Sequence, residues 1–163
     1  GDWSSDVCSS DLDSRRSRDF LIVARTDART ALGLDEALAC GRAFAKAGAD
    51  VVFIESPESE DEFARVGQEL AGCGAWLIAN MVPTGRSPEL SAERLAQLGF
   101  SLAIWPVAAI QPACAAIEAG LKHLAKHGRT QDSPVPAIDM NYLHELVGFP
   151  DVWDFEKRFV ETR

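Results

Sequence analysis

Four short apolar segments, each followed by a helical pattern, constrain the fold of this chain more than any other feature. They begin near residues 20, 51, 75 and 101 of the 163-residue sequence, which gives spacings of 31, 24 and 26 residues. Continuous apolar runs are typical of parallel strands covered on both faces, and their alternation with helices indicates βα units. We therefore predict a parallel sheet with strands over 20–24, 51–54, 75–79 and 101–105.

The intervening segments are predicted to be helices over 34–47, 59–70, 91–98 and 107–127, the third opened by Ser91 as N-cap. Pro112 could kink the fourth helix. Residues 128–137 have the composition of a linker, and two amphipathic helices are expected after it, over 141–147 and 151–162. Trp76 and Trp105 are expected in the core.

The first twelve residues, GDWSSDVCSSDL, have neither helical nor strand periodicity. They resemble the conceptual translation of a sequencing-library adapter, and a disordered native tail is the alternative. We therefore expect a non-native segment over 1–12, a βα domain over 13–128, and a linker with C-terminal helices over 129–163.

Charge and cysteine usage narrow the class of function. The formal net charge of −9 argues against nucleic-acid binding, which depends on cationic contacts to phosphate. No apolar run approaches the roughly 20 residues of a membrane helix. The four cysteines are scattered without a Cys-x-x-Cys pair, which argues against zinc or a disulfide framework and indicates a reducing, cytoplasmic setting.

A polar residue, which a buried strand does not need, stands directly after three of the predicted strands. These residues are Arg25, Glu55 and Asn80. The carboxyl ends of parallel strands form the ligand crevice of α/β folds, so these side chains could converge on one small polar ligand. A guanidinium matches a carboxylate or phosphonate, Glu55 could bind a metal through water or accept a proton, and Asn80 could donate to an oxyanion.

Simpler interpretations stay open for each residue. Arg25 could pair with Asp27 across the strand end, Glu55 could be a solvated loop carboxylate, and Asn80 could be a turn residue. His123 and His127 are spaced for a metal but have no third ligand nearby, and a solvated helix face is the favoured interpretation.

Four motifs in order, together with the tail around 145–149, resemble the isocitrate lyase/phosphoenolpyruvate mutase superfamily. They are Ile22-Val23-Ala24-Arg25-Thr26-Asp27-Ala28, Ala47-Gly48-Ala49-Asp50-Val51-Val52-Phe53-Ile54-Glu55, Ala79-Asn80-Met81-Val82, and Leu98-Gly99-Phe100 leading to Ile104-Trp105-Pro106. The resemblance implies a TIM-type (β/α)8 barrel, of which this chain would contain the last four βα units plus C-terminal helices. It also implies Mg²⁺ and a 2-oxo acid or its enolate as ligands.

By the same resemblance, Arg25 would hold the anionic group of the substrate, Glu55 would belong to the outer shell of the metal or touch the substrate, and Asn80 would help to bind the substrate. The family's Asp-x-Asp metal motif and Lys-Lys-Cys-Gly-His-type catalytic loop precede the first of these strands. The adapter-like segment occupies that region here, so we expect no catalytic residue and no direct metal ligand in this chain, and no activity from it alone. Gln111 and Met140 stand where arginines would hold further carboxylates, which favours a smaller acid.

The resemblance implies a lyase for a small 2-hydroxy or 2-oxo dicarboxylate, acting by carbon–carbon cleavage or oxaloacetate-type decarboxylation through an enolate. A carboxyphosphonoenolpyruvate or phosphoenolpyruvate mutase activity is the alternative. A flavodoxin-like receiver or binding module is an alternative of another class, although Arg25 and Pro106 stand where it needs an acid and a lysine. Four βα units leave two sheet edges unpaired, so we expect aggregation or dimerisation of this chain. The resemblance implies that the last helices exchange between subunits, which the linker over 128–137 suits, so we expect a homo-oligomer for the full-length protein.

Overall fold

A computed structural model describes residues 10–160, apart from the side chain of Val160. The chain forms two compact units that meet in sequence at Ile110 and Gln111. Residues 1–9, most of the predicted adapter-like segment, lie outside the described residues. Residues 10–14 are helical, and Leu12 packs against the core of the first unit. The division at residues 12 and 128 stays a prediction.

Besides the helical residues 10–14, the described part of the first unit contains four strands and four helices. The strands are β1 (Val23–Thr26), β2 (Val51–Ile54), β3 (Trp76–Asn80) and β4 (Leu102–Ile104). The helices are α1 (Ala28–Leu32), α2 (Leu34–Ala47), α3 (Glu60–Glu69) and α4 (Ala92–Gln97). All three strand pairs are parallel, so the predicted α/β class and parallel sheet are confirmed.

The strands lie in the order β1-β2-β3-β4, so neighbours in the sheet are also neighbours in the chain. Doubly wound sheets reverse their strand order at a switch point, and the flavodoxin-like order is 2-1-3-4-5. The described sheet has no such reversal. Its topology is that of a barrel segment and contradicts the flavodoxin-like alternative.

Local signals fix the ends of the helices. Gly48 ends α2 with a left-handed φ of 105°, which few residues other than glycine adopt without strain. The hydroxyl of Ser59 accepts the backbone N–H of Glu62 at the start of α3. Ser91 accepts the N–H of Arg94 in the same way, which confirms it as the N-cap of α4. These caps satisfy donors that the first turn leaves unpaired.

The core lies between one face of the sheet and its helices. The strands contribute Ala24, Val52, Ile54, Leu77 and Ala79, and the helices contribute Leu38, Phe44, Phe63, Val66 and Leu95. Burial of each large apolar side chain stabilises the fold by about 1.5–3 kcal/mol. At Gly67 in α3 the packing is close enough that a Cβ would stand 1.7 Å from the backbone oxygen of Leu98.

The opposite side of the sheet, here called the open face, carries apolar side chains that stay exposed. Successive strand residues alternate between faces, so Val23, Trp76, Leu102 and Ile104 project away from the helices. Their exposed fractions are 39–52%. Trp76 is therefore not in the core, contrary to expectation. Trp105 is partly buried and packs against the core. The predicted self-association of this chain is consistent with the open face and stays a prediction.

The predicted strand boundaries needed correction where side-chain bonding replaces sheet pairing. The first strand begins at Val23 rather than residue 20, because the N–H of Ile22 donates to the Asp50 carboxylate at 2.8 Å. Phe20, predicted in that strand, is 68% exposed. The third strand is shifted by one residue and ends at Asn80. Arg25 and Asn80 thus lie within strands, and only Glu55 follows one.

The second unit is helical. Its helices are α5 (Ile110–His127), α6 (Met140–Leu146) and α7 (Phe149–Val160), close to the predicted segments as far as residue 160. Pro112 lies in the first turn of α5, where a missing N–H costs nothing, so no kink is needed there. No helix among residues 10–160 combines the length and apolar character needed to cross a bilayer.

Candidate functional site

The three predicted site residues lie on the open face near the carboxyl ends of adjacent strands. Arg25 in β1 is in register with Phe53 in β2, which is in register with Ile78 in β3. Glu55 and Asn80 each follow two residues after those partners. Because strand side chains alternate with period two, all three project from the same face.

Their side chains meet at the Glu55 carboxylate. Its Oε2 lies 3.5 Å from Arg25 Nη2 and 3.5 Å from Asn80 Nδ2. Its Oε1 accepts the hydroxyl of Ser56 at 3.1 Å. The Glu55 side chain is only 16% exposed, so it is not a solvated loop carboxylate. The structure brings the three predicted residues together, while their binding roles stay predictions.

Ser56 belongs to this cluster and was not predicted from the sequence. Its φ is +58°, in the left-handed region that a serine adopts at a cost. The strained turn directs the hydroxyl back onto Glu55. The one available signal was its position between a strand-ending acid and Pro57, which does not by itself indicate this geometry.

Arg25 is held mainly by Asp27. Its Nε and Nη2 donate to the two carboxylate oxygens of Asp27 at 3.0 and 2.7 Å, and its guanidinium carbon lies 5.1 Å from the centre of the Phe53 ring. The hydrogen bond to Arg25 lowers the pKa of Asp27, and the same bond raises the pKa of Arg25. The pairing that was left open as a simpler interpretation is therefore present, but Asp27 makes no side-chain cap bond to α1.

Asn80 differs in detail from the expectation. Its amide nitrogen faces Glu55, and its Oδ1 is buried without a hydrogen-bond partner. The atom of Asn80 without a partner is thus a buried acceptor, whereas a donor to an oxyanion was expected from the sequence. A buried acceptor without a partner is costly, and a hydroxyl or other donor of a ligand could satisfy it.

A second group of charges ties the loops after β1 and β2 together. Arg29 in α1 contacts Glu58 through Nη1 at 2.6 Å and Glu62 through Nη2 at 2.6 Å. The Glu62 carboxylate also accepts the N–H of Glu58 at 2.8 Å. The hydrogen bond from Arg29 lowers the pKa of Glu62. We call Arg29, Glu58 and Glu62 the loop clamp. Arg29 lies roughly 30 residues before the two acids, so no local spacing indicates the clamp.

The described residues do not by themselves form a metal site. No group of three His, Cys, Asp or Glu among residues 10–160 could hold a metal ion. The oxygens of Glu55 already face Arg25, Asn80 and Ser56. The rings of His123 and His127 stack with centroids 4.5 Å apart, and His123 Nε2 lies 2.9 Å from the backbone oxygen of Gln131.

The cluster has an unfavourable charge for an anionic ligand. One guanidinium, Arg25, stands against two carboxylates, Asp27 and Glu55, so its formal charge is −1. A dicarboxylate would be repelled unless one acid releases Arg25 or further positive charge is added.

A sequentially ordered parallel sheet with a polar cluster at the carboxyl ends of its strands defines part of a (β/α)-barrel enzyme. The chain belongs to the phosphoenolpyruvate phosphomutase family, whose model matches residues 9–125. This confirms the superfamily resemblance and, with the structures described next, the barrel class of the fold.

The relatives it matches are about twice as long as this chain. It is 37% identical over 152 residues to 2,3-dimethylmalate lyase from Eubacterium barkeri, covering 93% of this chain and 52% of the lyase. A crystal structure of 2,3-dimethylmalate lyase, described as a PEP mutase/isocitrate lyase superfamily member, superposes with a TM-score of 0.82 at 29% identity, covering 94% of this chain and 54% of that one.

Phosphonopyruvate hydrolase in complex with oxalate and Mg²⁺ superposes with a TM-score of 0.80 at 26% identity, covering 96% of this chain and 55% of that one. The similar proteins thus include a lyase and a hydrolase. The family itself is named after phosphoenolpyruvate phosphomutase.

Proposed function

We propose that this chain supplies the substrate-binding strands of a lyase that acts on a small 2-hydroxy or 2-oxo dicarboxylate through an enolate. The observation that carries the proposal is the convergence of Arg25, Glu55 and Asn80 at one rim of the sheet. Family membership and the similarity to 2,3-dimethylmalate lyase support the type of reaction.

Each residue has a role that follows from its chemistry. Arg25 offers a planar set of donors to a substrate carboxylate. Glu55, held between Arg25 and Ser56, can orient the guanidinium and accept a proton from a substrate hydroxyl. A substrate donor that reaches the buried Oδ1 of Asn80 would satisfy its missing hydrogen bond. Cleavage of the bond beside a carboxylate leaves an enolate, whose negative charge positioned donors stabilise.

Magnesium belongs to the proposal as a family expectation. It is supported by the Mg²⁺ complex of phosphonopyruvate hydrolase, and the described residues add no ligand set of their own. We further propose that this chain has no turnover by itself, that Glu55 reaches a metal only through its outer shell, and that the full-length enzyme is a cytoplasmic homo-oligomer. The scattered cysteines support the cytoplasmic setting. The linker composition of residues 128–137, which suits exchange of the last helices between subunits, supports the homo-oligomer.

Phosphoryl transfer of the mutase type is a second candidate, favoured by the description of the matching family. Arg25 would suit a phosphonate as well as a carboxylate. The two candidates differ in the ligand they prefer, so competition between phosphonopyruvate and 2,3-dimethylmalate for the site separates them.

Oxalate binding to the purified 163-residue chain, measured by isothermal titration calorimetry with and without Mg²⁺, tests the site. Loss of one charge-assisted contact in Arg25→Gln should weaken binding roughly 10- to 100-fold. Arg129→Gln, which removes the same charge from an exposed position in the second unit, should change the affinity less than about twofold. Equal affinities of wild type and Arg25→Gln would contradict the proposed site.

Turnover is tested separately with 2,3-dimethylmalate and Mg²⁺, by following pyruvate release. We expect no pyruvate above the enzyme-free rate. Measurable turnover by this chain would refute its proposed inactivity and leave the binding site standing.

A further inference from the structure

Asp27 occupies the part of Arg25 that a ligand carboxylate would use. Its two oxygens accept from Nε and Nη2 of Arg25 at 3.0 and 2.7 Å, which is the bidentate geometry of arginine–carboxylate recognition. Glu55 stands against the same Nη2 at 3.5 Å. Asp27 thus presents to Arg25 the same chemical group that a carboxylate substrate would present.

While it is bound to Arg25, Asp27 lacks a helix-capping hydrogen bond that its position would normally provide. It is the N-cap residue of α1, a position where an aspartate usually accepts a backbone N–H from the first turn, yet it makes no side-chain cap bond. Its side chain is 66% exposed. A carboxylate displaced from Arg25 would therefore enter water and lie beside the donors at the start of α1, so its release leaves no buried unpaired charge.

Arg25 would keep its orientation after such a release. The Phe53 ring lies 5.1 Å from the guanidinium carbon, and Glu55 contacts Nη2 from the neighbouring strand. Glu55 shares only Nη2 with the Nε–Nη2 edge that Asp27 occupies. The guanidinium would present this edge to the ligand without reorganising the strand that carries it.

We propose that Asp27 is a specificity-determining residue that occupies the Arg25 edge in the free protein and is exchanged for the carboxylate of the ligand on binding. The proposal rests on the proposed function, because it takes Arg25 as the anchor of an anionic substrate. The exchange leaves the formal charge of the cluster unchanged, but it moves the negative charge of Asp27 away from the guanidinium edge that the incoming anion would occupy. Ligands that can reproduce a planar bidentate contact are favoured over those that cannot.

The test compares oxalate affinities of the full 163-residue chain by calorimetry. Asp27→Asn keeps the size and the capping ability of the side chain but removes its charge. We expect oxalate to bind roughly two- to fivefold tighter, the change that corresponds to an exposed ion pair no longer competing. Asp27→Ala should show at least the same gain. Asp151→Asn, which removes one exposed charge from the second unit, should leave the affinity unchanged.

The double variant Arg25→Gln with Asp27→Asn separates exchange from a general charge effect. It should lose the gain, because Asp27 acts only through Arg25. A gain that survives without Arg25, or an Asp27→Asn chain that binds oxalate no tighter than wild type, would overturn the exchange while the Arg25 site stands. Absence of oxalate binding in every variant, each shown to be folded by circular dichroism, would overturn both the exchange and the proposed function.

Discussion

Replacement of Gly67 by alanine should destabilise the first unit more than the same replacement at Gly41, the other glycine within its helices α1–α4. The added Cβ would stand 1.7 Å from the carbonyl oxygen of Leu98 and 2.9 Å from its carbonyl carbon. Both are backbone atoms in the turn between α4 and β4. They cannot rotate away as a side chain can, so α3 and this turn must separate by more than about 1 Å.

The cost follows from that displacement. Overpacking typically costs about 1–3 kcal/mol, and a clash with backbone belongs at the upper end, about 3 kcal/mol. Alanine regains up to about 1 kcal/mol of helix propensity. The free energy of unfolding should therefore fall by about 2 kcal/mol or more, which corresponds to roughly 10 °C in Tm for a unit of this size.

Urea denaturation followed by far-UV circular dichroism measures this change. Gly41→Ala is the graded comparison, because its Cβ would meet only side-chain carbons of Ile54, Leu70 and Val52 at 3.1–3.2 Å, and its loss should be smaller. Gly120→Ala in α5, with nothing within 4 Å, should be neutral or stabilising. Equal stability of Gly67→Ala and Gly120→Ala would refute the close approach of α3 to Leu98.

Two further predictions concern the segment after β2. Ser59→Ala removes the hydroxyl that accepts the N–H of Glu62, and chemical denaturation should show a loss of about 1 kcal/mol. Glu62 has its pKa lowered by Arg29, so it stabilises the fold above the ordinary glutamate pKa, and this contribution is lost as pH falls from about 5 toward 3. Glu62→Gln should therefore be less stable than wild type at pH 7 and should lose less stability on acidification. The control Glu118→Gln, at an exposed position, should have the pH profile of wild type. Identical pH profiles of wild type and Glu62→Gln would contradict the loop clamp.

The sequence predicted the elements that local signals define. The segment of α2 was predicted at the residues where the structure has it, because acids in its first turn and Gly48 at its end mark both boundaries. Asp50 explains the error at the first strand, since its carboxylate takes the Ile22 N–H across 28 residues. Helix α1 was missed because its five residues are too few to show a periodic pattern.

The candidate site likewise contains features that the sequence could predict and features that it could not. Arg25, Glu55 and Asn80 could be placed together because strand ends of a parallel sheet share one edge. The Ser56 turn and the direction of the Asn80 amide could not, since both depend on contacts with residues remote in sequence or on backbone strain. Pairing of Arg25 with Asp27 was only one option from the sequence, because the two-residue spacing permits it without requiring it.

The loop clamp has a mechanical consequence for the rim of the sheet. Arg29 lies two residues after Asp27, and its partner Glu58 lies three residues after Glu55. The segments that carry Asp27 and Glu55, both of which contact Arg25 Nη2, are therefore joined a second time through the Arg29 guanidinium. A displacement of either backbone segment would have to break this ion pair or carry the other segment along, so the clamp favours release of Asp27 by rotation of its side chain alone.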